Sequence, residues 1–177
     1  MMAVLFLGAL AGEMPICGPA ARVTFREGAP VDVFTVENIS ANASTDWAIA
    51  AVEIDLVPSA GRLVFDTVRG GAGRNVSQPF VARPVEGEAA LADLPVVPDG
   101  AEGLTLSFTR FQPGQRFRFT IDMDDRLGGG VGTMIDGPEI EGAMVTVRFA
   151  GGTSQRTTES APFDAAAIAR PATACLS

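Results

Sequence analysis

The chain has 177 residues, 47% of them apolar, and a formal net charge of −8 with a sequence pI of about 4.5. This length suits one domain with a sizeable core, and the charge balance disfavours nucleic acid and anionic lipid as partners. The chain contains no His and no Tyr, and all 13 of its basic residues are Arg, which removes the usual general base and Schiff-base chemistry. We therefore predict a protein that is not an enzyme, with carboxylate-pair hydrolysis as the mechanism that the composition leaves open.

Short segments with alternating apolar and polar residues follow one another along the chain, separated by Gly, Pro and Asp turns. The segments that we predict as strands are Val23–Arg26, Val31–Asn38, Ala48–Leu56, Leu63–Asp66, Gln78–Ala82, Leu104–Phe108, Arg116–Asp125, Ala143–Phe149 and Thr153–Thr158. Two segments have a helical pattern instead, Glu86–Leu94 and, more weakly, Ala165–Arg170. Eight or more short strands with close turns predict an all-β fold, a single antiparallel β-sandwich that is jelly-roll-like or immunoglobulin-like.

Two turns predict hairpins. Gln112–Gln115 has Pro and Gly in the order that type II geometry requires, and we expect it to join the strands on either side of it. Gly151–Gly152 predicts a second hairpin. The glycine-rich loop Arg69–Arg74 lacks the phosphate-loop pattern and has no helical pattern after it, so phosphate binding there is not expected.

The N-terminal segment, residues 1–21, has the pattern of a secretion signal. An apolar run ends in Ala9-x-Ala11, which allows cleavage after residue 11, although the first basic residue comes only at Arg22. The run is too short to span a bilayer, and its alternative interpretation is a buried first strand. We therefore expect a folded domain over residues 22–177 in an extracellular or periplasmic location, with no transmembrane span.

The two cysteines lie near the ends of the chain, at Cys17 and Cys175. In an oxidising compartment a disulfide between them would close almost the whole chain into one loop and constrain the unfolded state. The alternative is two free thiols. We expect the disulfide if the protein is exported.

The strand Arg116–Asp125 ends in three carboxylates, Asp122, Asp124 and Asp125. Asp122 and Asp124 lie two residues apart and so share one face of the strand. Calcium binds six to eight oxygens, and a strand end followed by a glycine-rich loop can supply them. The carboxylates that could complete such a shell are Asp32, Glu37, Asp66 and Asp136. We predict Asp122, Asp124 and Asp125 as calcium ligands, the alternative being a solvated strand end or ion pairs with nearby arginines.

Two further features have a binding interpretation and a structural one. Arg116 and Arg118 share a strand face, with Arg148 as an expected neighbour, and could form a patch for an anion or acidic sugar. The alternative makes them cross-strand partners of Glu53 and Asp55. Trp47 follows a polar loop and could stack on a sugar, although core packing is the expected role of a single Trp.

Several stretches from Arg22 to Gly152 resemble one known family. They are VTFREGAPVDVFTVEN, AAVEIDLVPSAGRLVFDTVRGGAG, VSQPF, LTLSFTRFQPGQRFRFTIDMDD and GPEIEGAMVTVRFAGG. These stretches resemble small secreted proteins of marine alphaproteobacteria that are called "aggregation factor core" proteins. That name refers to sponge adhesion proteins whose aggregation depends on calcium. The resemblance implies a secreted, non-enzymatic β protein with a role in cell or matrix adhesion. The chain departs from the family in its weak signal segment and in an Asn/Ser/Thr-rich insert, Ile39–Asp46.

Together these observations predict a secreted, non-catalytic β-sandwich module for extracellular adhesion or aggregation, stabilised by Ca²⁺. Its expected partner is the extracellular matrix, a polysaccharide or a cell surface. The alternatives are a carbohydrate-binding module and a hydrolase with a carboxylate pair.

Overall fold

The structure is a computed structural model, and it describes residues 18–28, 32–41, 46–73, 76–84, 88–126, 137–152 and 154–173. Within these ranges the chain forms eleven strands and one short helix. The elements are β1 (Ala21–Arg26), β2 (Asp32–Asn38), β3 (Ala48–Asp55), β4 (Leu63–Asp66), β5 (Val81–Ala82), β6 (Ala90–Leu91), β7 (Gly103–Arg110), β8 (Arg116–Asp125), α1 (Gly137–Ile140), β9 (Met144–Gly151), β10 (Gln155–Pro162) and β11 (Ile168–Ala169).

The strands form two antiparallel sheets. The first sheet has the order β11-β1-β2-β8-β4, and β5 pairs with β8 on the same edge as β4. The second sheet has the order β10-β9-β3-β7-β6. The predicted all-β antiparallel sandwich is confirmed. The first strand begins at Ala21, so the fold starts slightly before residue 22.

The core lies between the two sheets because the strands bury alternate residues. In β2, Phe34 and Val36 are fully buried, whereas Thr35 and Glu37 between them are not. The ring of Phe34 stacks on that of Phe119 from β8, with 4.9 Å between the ring centroids. Each such buried side chain contributes about 1.5–3 kcal/mol through the apolar surface that it removes from water. The alternation therefore determines which face of each strand lies outside the core and is available for binding.

Both predicted helices are wrong. Within Glu86–Leu94, residues Ala90 and Leu91 form β6 at the edge of the second sheet, where pairing with β7 overrides the weak local propensity. Within Ala165–Arg170, the Asp164 carboxylate accepts the backbone N–H groups of Ala166 and Ile168 at 2.9 and 3.0 Å. Such a side chain competes with helical hydrogen bonds and stabilises a turn instead.

The predicted hairpin between β7 and β8 is also wrong, although its turn is present. Gln115 donates its N–H to the carbonyl of Gln112 at 3.1 Å, and Gly114 has a φ of 81°. The turn joins the two sheets, because β7 belongs to the second sheet and β8 to the first. Phe111, just before the turn, is fully buried and packs edge-on against Phe108. The second predicted hairpin, β9 with β10, is confirmed.

The two ends of the described chain lie side by side. Ala20 pairs with Ala172 in an antiparallel bridge, and Thr173 donates its N–H to the carbonyl of Pro19 at 3.1 Å. The predicted signal run, Cys17 and Cys175 lie outside the described residues. Among the helices that are described, none is long and apolar enough to cross a membrane.

Candidate metal centre

The strand β8 supplies two of the three carboxylates of an acidic centre. Its apolar residues, among them Ile121 and Met123, face the core, so Asp122 and Asp124 lie together on the outer face, as predicted. On the neighbouring strand β4, Asp66 lies directly opposite Asp122, and Val64 lies opposite Asp124. Residues directly opposite in an antiparallel pair have Cβ atoms about 5 Å apart, so this register brings the third carboxylate to the other two.

The three carboxylates are close together, and two of them are buried. One carboxylate oxygen from each of Asp66, Asp122 and Asp124 can be chosen so that all three lie within 4.8 Å of one another. Asp66 is only 1% exposed and Asp124 is 8% exposed. The Oδ1 atom of Asp66 is buried and accepts no hydrogen bond from any residue that the structure describes. A buried carboxylate oxygen in this state costs free energy unless a proton or a cation neutralises it.

The loop after β4 closes over this centre. Asp99 holds the loop by accepting the backbone N–H groups of Thr67, Val68 and Ala72 at 2.9, 3.1 and 2.6 Å. These hydrogen bonds, the one from Thr67 above all, lower the pKa of Asp99. A Cβ atom added to Gly73 would collide with the carboxylates of both Asp66 and Asp124. Only glycine therefore fits where the loop passes over the acidic centre.

Burial and mutual repulsion make the carboxylates of this region hard to ionise. The pKa of Asp66 is raised to about 6, mainly by burial and in part by the neighbouring carboxylates of Asp124 and Asp99. Burial also raises the pKa of Asp122 to about 7, with contributions from Asp32, Asp124 and Asp66. The pKa of Asp32 rises to about 7, mainly by burial, against the opposing effect of the N–H groups of Gly28 and Met123. At neutral pH the region therefore holds carboxylates whose negative charge is poorly compensated by solvent.

The ion pairs between described residues lie elsewhere. They join Arg22 to Glu37, Arg116 to Glu88, Arg126 to Glu102, and Arg170 to Asp164. None of these pairs includes Asp66 or Asp122.

The geometry fits a hard divalent cation. Calcium binds oxygen at 2.3–2.6 Å, so two oxygens on the same ion can be at most about 5 Å apart. The spacing within 4.8 Å satisfies this limit. Calcium also accepts backbone carbonyls and water, which would complete a shell that begins with three carboxylates.

The structure changes the predicted ligand set. Asp125 has the parity of the core face and lies opposite Leu63, so it is not part of the group that Asp66 forms with Asp122 and Asp124. Of the more distant candidates, Asp66 joins the centre and Asp32 lies near enough to influence its pKa values. Glu37 pairs with Arg22, and Asp136 lies outside the described residues.

The arginine and tryptophan predictions have mixed outcomes. Arg116 and Arg118 do share the outer face of β8, where Glu37 and Thr35 lie opposite them on β2. The predicted partners Glu53 and Asp55 are on β3 in the second sheet, as is Arg148 on β9, so the sandwich separates them from these arginines. Trp47 is partly buried and packs against the core, as expected for a single Trp.

Comparison with known proteins finds no related family, protein or structure. The chain matches no protein-family model, and neither a curated protein nor a solved structure matches it significantly. The fold and the site together define the class: an antiparallel β-sandwich with a partly buried acidic centre on the outer face of one sheet.

Proposed function

We propose that this chain is a secreted, non-catalytic β-sandwich module that binds Ca²⁺ at Asp66, Asp122 and Asp124 and acts in extracellular adhesion or aggregation. One observation carries the cation site: the Asp66 carboxylate is 1% exposed, has an oxygen without a hydrogen-bond donor among the described residues, and faces two further carboxylates. A divalent cation offsets both the desolvation and the repulsion of these groups.

The role of such a cation is to hold parts of the sandwich together. Asp66 comes from β4 and the other two carboxylates from β8, while Gly73 brings the following loop against them. A cation bound by all three carboxylates would lock the short strand β4 and its loop onto the central strand. This is the part of an adhesion module that extracellular calcium could stiffen. The adhesion role itself draws on the sequence resemblance and on the acidity of the chain.

The alternatives receive less support. A sugar-stacking platform at Trp47 is disfavoured because this side chain packs against the core. A hydrolase needs two carboxyl groups about 5–10 Å apart in a cleft. Two hollows on the outer face of the first sheet contain one carboxylate each, Glu88 in one and Glu37 in the other, so neither holds such a pair.

Thermal unfolding with calcium and with chelator tests the proposal. A ligand that binds only the folded state stabilises it by about 2.7 kcal/mol at a hundredfold excess over its Kd. For a chain of this size that amounts to a rise of about 5–11 °C in Tm. An equal Tm in millimolar CaCl₂ and in EDTA, at the same ionic strength, would remove calcium from the proposal.

A further inference from the structure

A second feature lies on the outer face of the same sheet, away from the acidic centre. Register places Thr24 opposite Thr35, and Thr35 opposite Arg118, across β1, β2 and β8. On the other edge of β8, Arg83 follows the pair of Ala82 with Phe119 and donates its N–H to the carbonyl of Arg118 at 2.8 Å. Arg83 therefore lies opposite Arg118. Thr24, Thr35, Arg118 and Arg83 form a row across β1, β2, β8 and the residue after β5, which we call the arginine row.

The arginine row contains a pairing that sheets normally avoid. Arg118 and Arg83 are both exposed and directly opposite, and like charges in that position destabilise a sheet. Neither has a carboxylate partner among the ion pairs between described residues. The chain has 21 acidic residues against 13 arginines, so an uncompensated basic pair does not follow from composition.

In the neighbouring row of the same sheet, the arginines form ion pairs with carboxylates. There, Arg22 lies opposite Glu37 and forms an ion pair with it at 3.4 Å. Arg116, next along the row, pairs with Glu88 at 3.3 Å. Each arginine in that row has a carboxylate, whereas in the arginine row none is supplied. The contrast lies two residues away on the same strands.

Arg118 stands between two open hollows on this face. The first hollow, of about 620 Å³, is lined by Ala82, Arg83, Pro84, Glu88, Arg116 and Arg118. The second hollow, of about 320 Å³, is lined by Thr24, Arg26, Val33, Thr35, Glu37 and Arg118. In both hollows the carboxylate already has an arginine partner, which leaves Arg83, Arg118 and Arg26 to a ligand.

We propose that the arginine row and its two hollows bind an anionic polysaccharide, through its carboxylate or sulfate groups. Guanidinium groups bind such oxyanions with paired, charge-assisted hydrogen bonds, and the threonine hydroxyls can bond to sugar hydroxyls. Protein partners usually insert aromatic or large aliphatic anchors into pockets, but the lining here has no aromatic residue and only Val33, Ala82 and Pro84 as apolar residues. Two adjacent hollows on either side of one arginine suit a chain with repeated charges.

The test measures binding of the full chain by calorimetry to polygalacturonate, dextran sulfate, neutral dextran and poly-L-glutamate. All titrations contain EDTA, so that the outcome does not depend on the acidic centre. The variant R83Q/R118Q removes the arginine row, and R148Q/R156Q removes two exposed arginines from the second sheet with the same change in charge. Thermal unfolding checks each fold, and R83Q/R118Q should melt no lower than wild type because it removes a like-charge pair.

We expect wild type to bind polygalacturonate or dextran sulfate, but not neutral dextran, with an affinity that falls as salt is raised. R83Q/R118Q should weaken this binding at least tenfold, and R148Q/R156Q should change it less than twofold. The two charged polysaccharides distinguish carboxylate from sulfate as the bound group. Three results would each overturn the proposal: no binding of either polysaccharide, equal losses in both variants, or tighter binding of poly-L-glutamate than of the polysaccharides.

Discussion

The Asp66→Asn variant should be more stable than wild type without calcium and less stable than wild type with calcium. Asp66→Asn keeps the shape of the side chain and removes one negative charge from the acidic centre. In the folded protein the pKa of Asp66 is raised from 3.8 to about 6. Two pKa units correspond to about 3 kcal/mol, which is the order of the cost of ionising this group in the folded state at neutral pH.

In EDTA at pH 7.5 the variant should therefore be more stable than wild type, by about 1–3 kcal/mol. The new amide can donate to the carboxylates of Asp99 and Asp124, with which Asp66 interacts, so it need not be left without partners. In millimolar calcium the wild type should gain about 5–11 °C in Tm, whereas the variant, lacking one charged ligand, should gain little. The variant should therefore have the higher Tm in EDTA, and wild type the higher Tm in calcium.

The measurement is thermal unfolding of wild type and variants in EDTA and in CaCl₂ at matched ionic strength. Asp125→Asn is the matched control on the neighbouring strand β8, because Asp125 lies outside the acidic centre. This variant should keep the full wild-type rise in Tm with calcium. Asp93→Asn controls for net charge at an exposed position. If Asp66→Asn is less stable than wild type in EDTA, the electrostatic reasoning fails. If it keeps the wild-type calcium increment, Asp66 is not a ligand.

In EDTA, the Tm of wild type should fall as pH rises from about 4 to 7. The reason is that Asp32, Asp66 and Asp122 have raised pKa values in the folded chain and therefore bind protons more tightly there than in the unfolded chain. A Tm that rises through this pH range would contradict the raised pKa values. Gly73→Ala should cost about 1–3 kcal/mol and abolish the calcium increment, whereas Gly152→Ala, with open space around it, should leave that increment intact in the same melts. Cys17 and Cys175 should form a disulfide in oxidising buffer, because the two ends of the described chain lie side by side where Ala20 pairs with Ala172. Closing a loop of about 160 residues should add about 5 kcal/mol, and a non-reducing peptide map without the linked peptide would refute the pairing.

The strands were predictable because their signal is local. Alternation in Val31–Asn38 and Arg116–Asp125 follows from burying one face, and the same period predicted that Asp122 and Asp124 share a face. The partner of β7 was not predictable in this way. The tight turn at Gln112–Gln115 fits a hairpin equally well, and what separates the strands is the burial of Phe111 between the sheets.

The acidic centre was only half predictable for a related reason. Asp66 closes a four-residue strand, and nothing local indicates that this strand pairs with the far end of β8. For the same reason, the sequence does not predict that Arg83 lies opposite Arg118, because this position depends on the pairing of the two-residue strand β5 with β8. Period-2 alternation places Asp125 on the other face from Asp122, so a ligand role for Asp125 would require the chain to turn back where the strand ends. In the structure β8 continues through Asp125, paired with Leu63.

The central strand β8 carries both proposed sites on one face. Arg116 and Arg118 occupy its first half and Asp122 and Asp124 its second, while the opposite face is apolar from Phe117 to Met123. Asp122 lies four positions after Arg118, which is about 13 Å along a strand. This exceeds the Debye length of about 10 Å at 0.1 M salt, so charges at the two sites interact weakly at physiological ionic strength and more strongly in dilute buffer. A cation at the acidic centre removes negative charge that would otherwise repel a polyanion. Calcium should therefore strengthen polyanion binding at low salt and have little effect at physiological salt, and an equal effect at both would mean that calcium bridges the ligand directly.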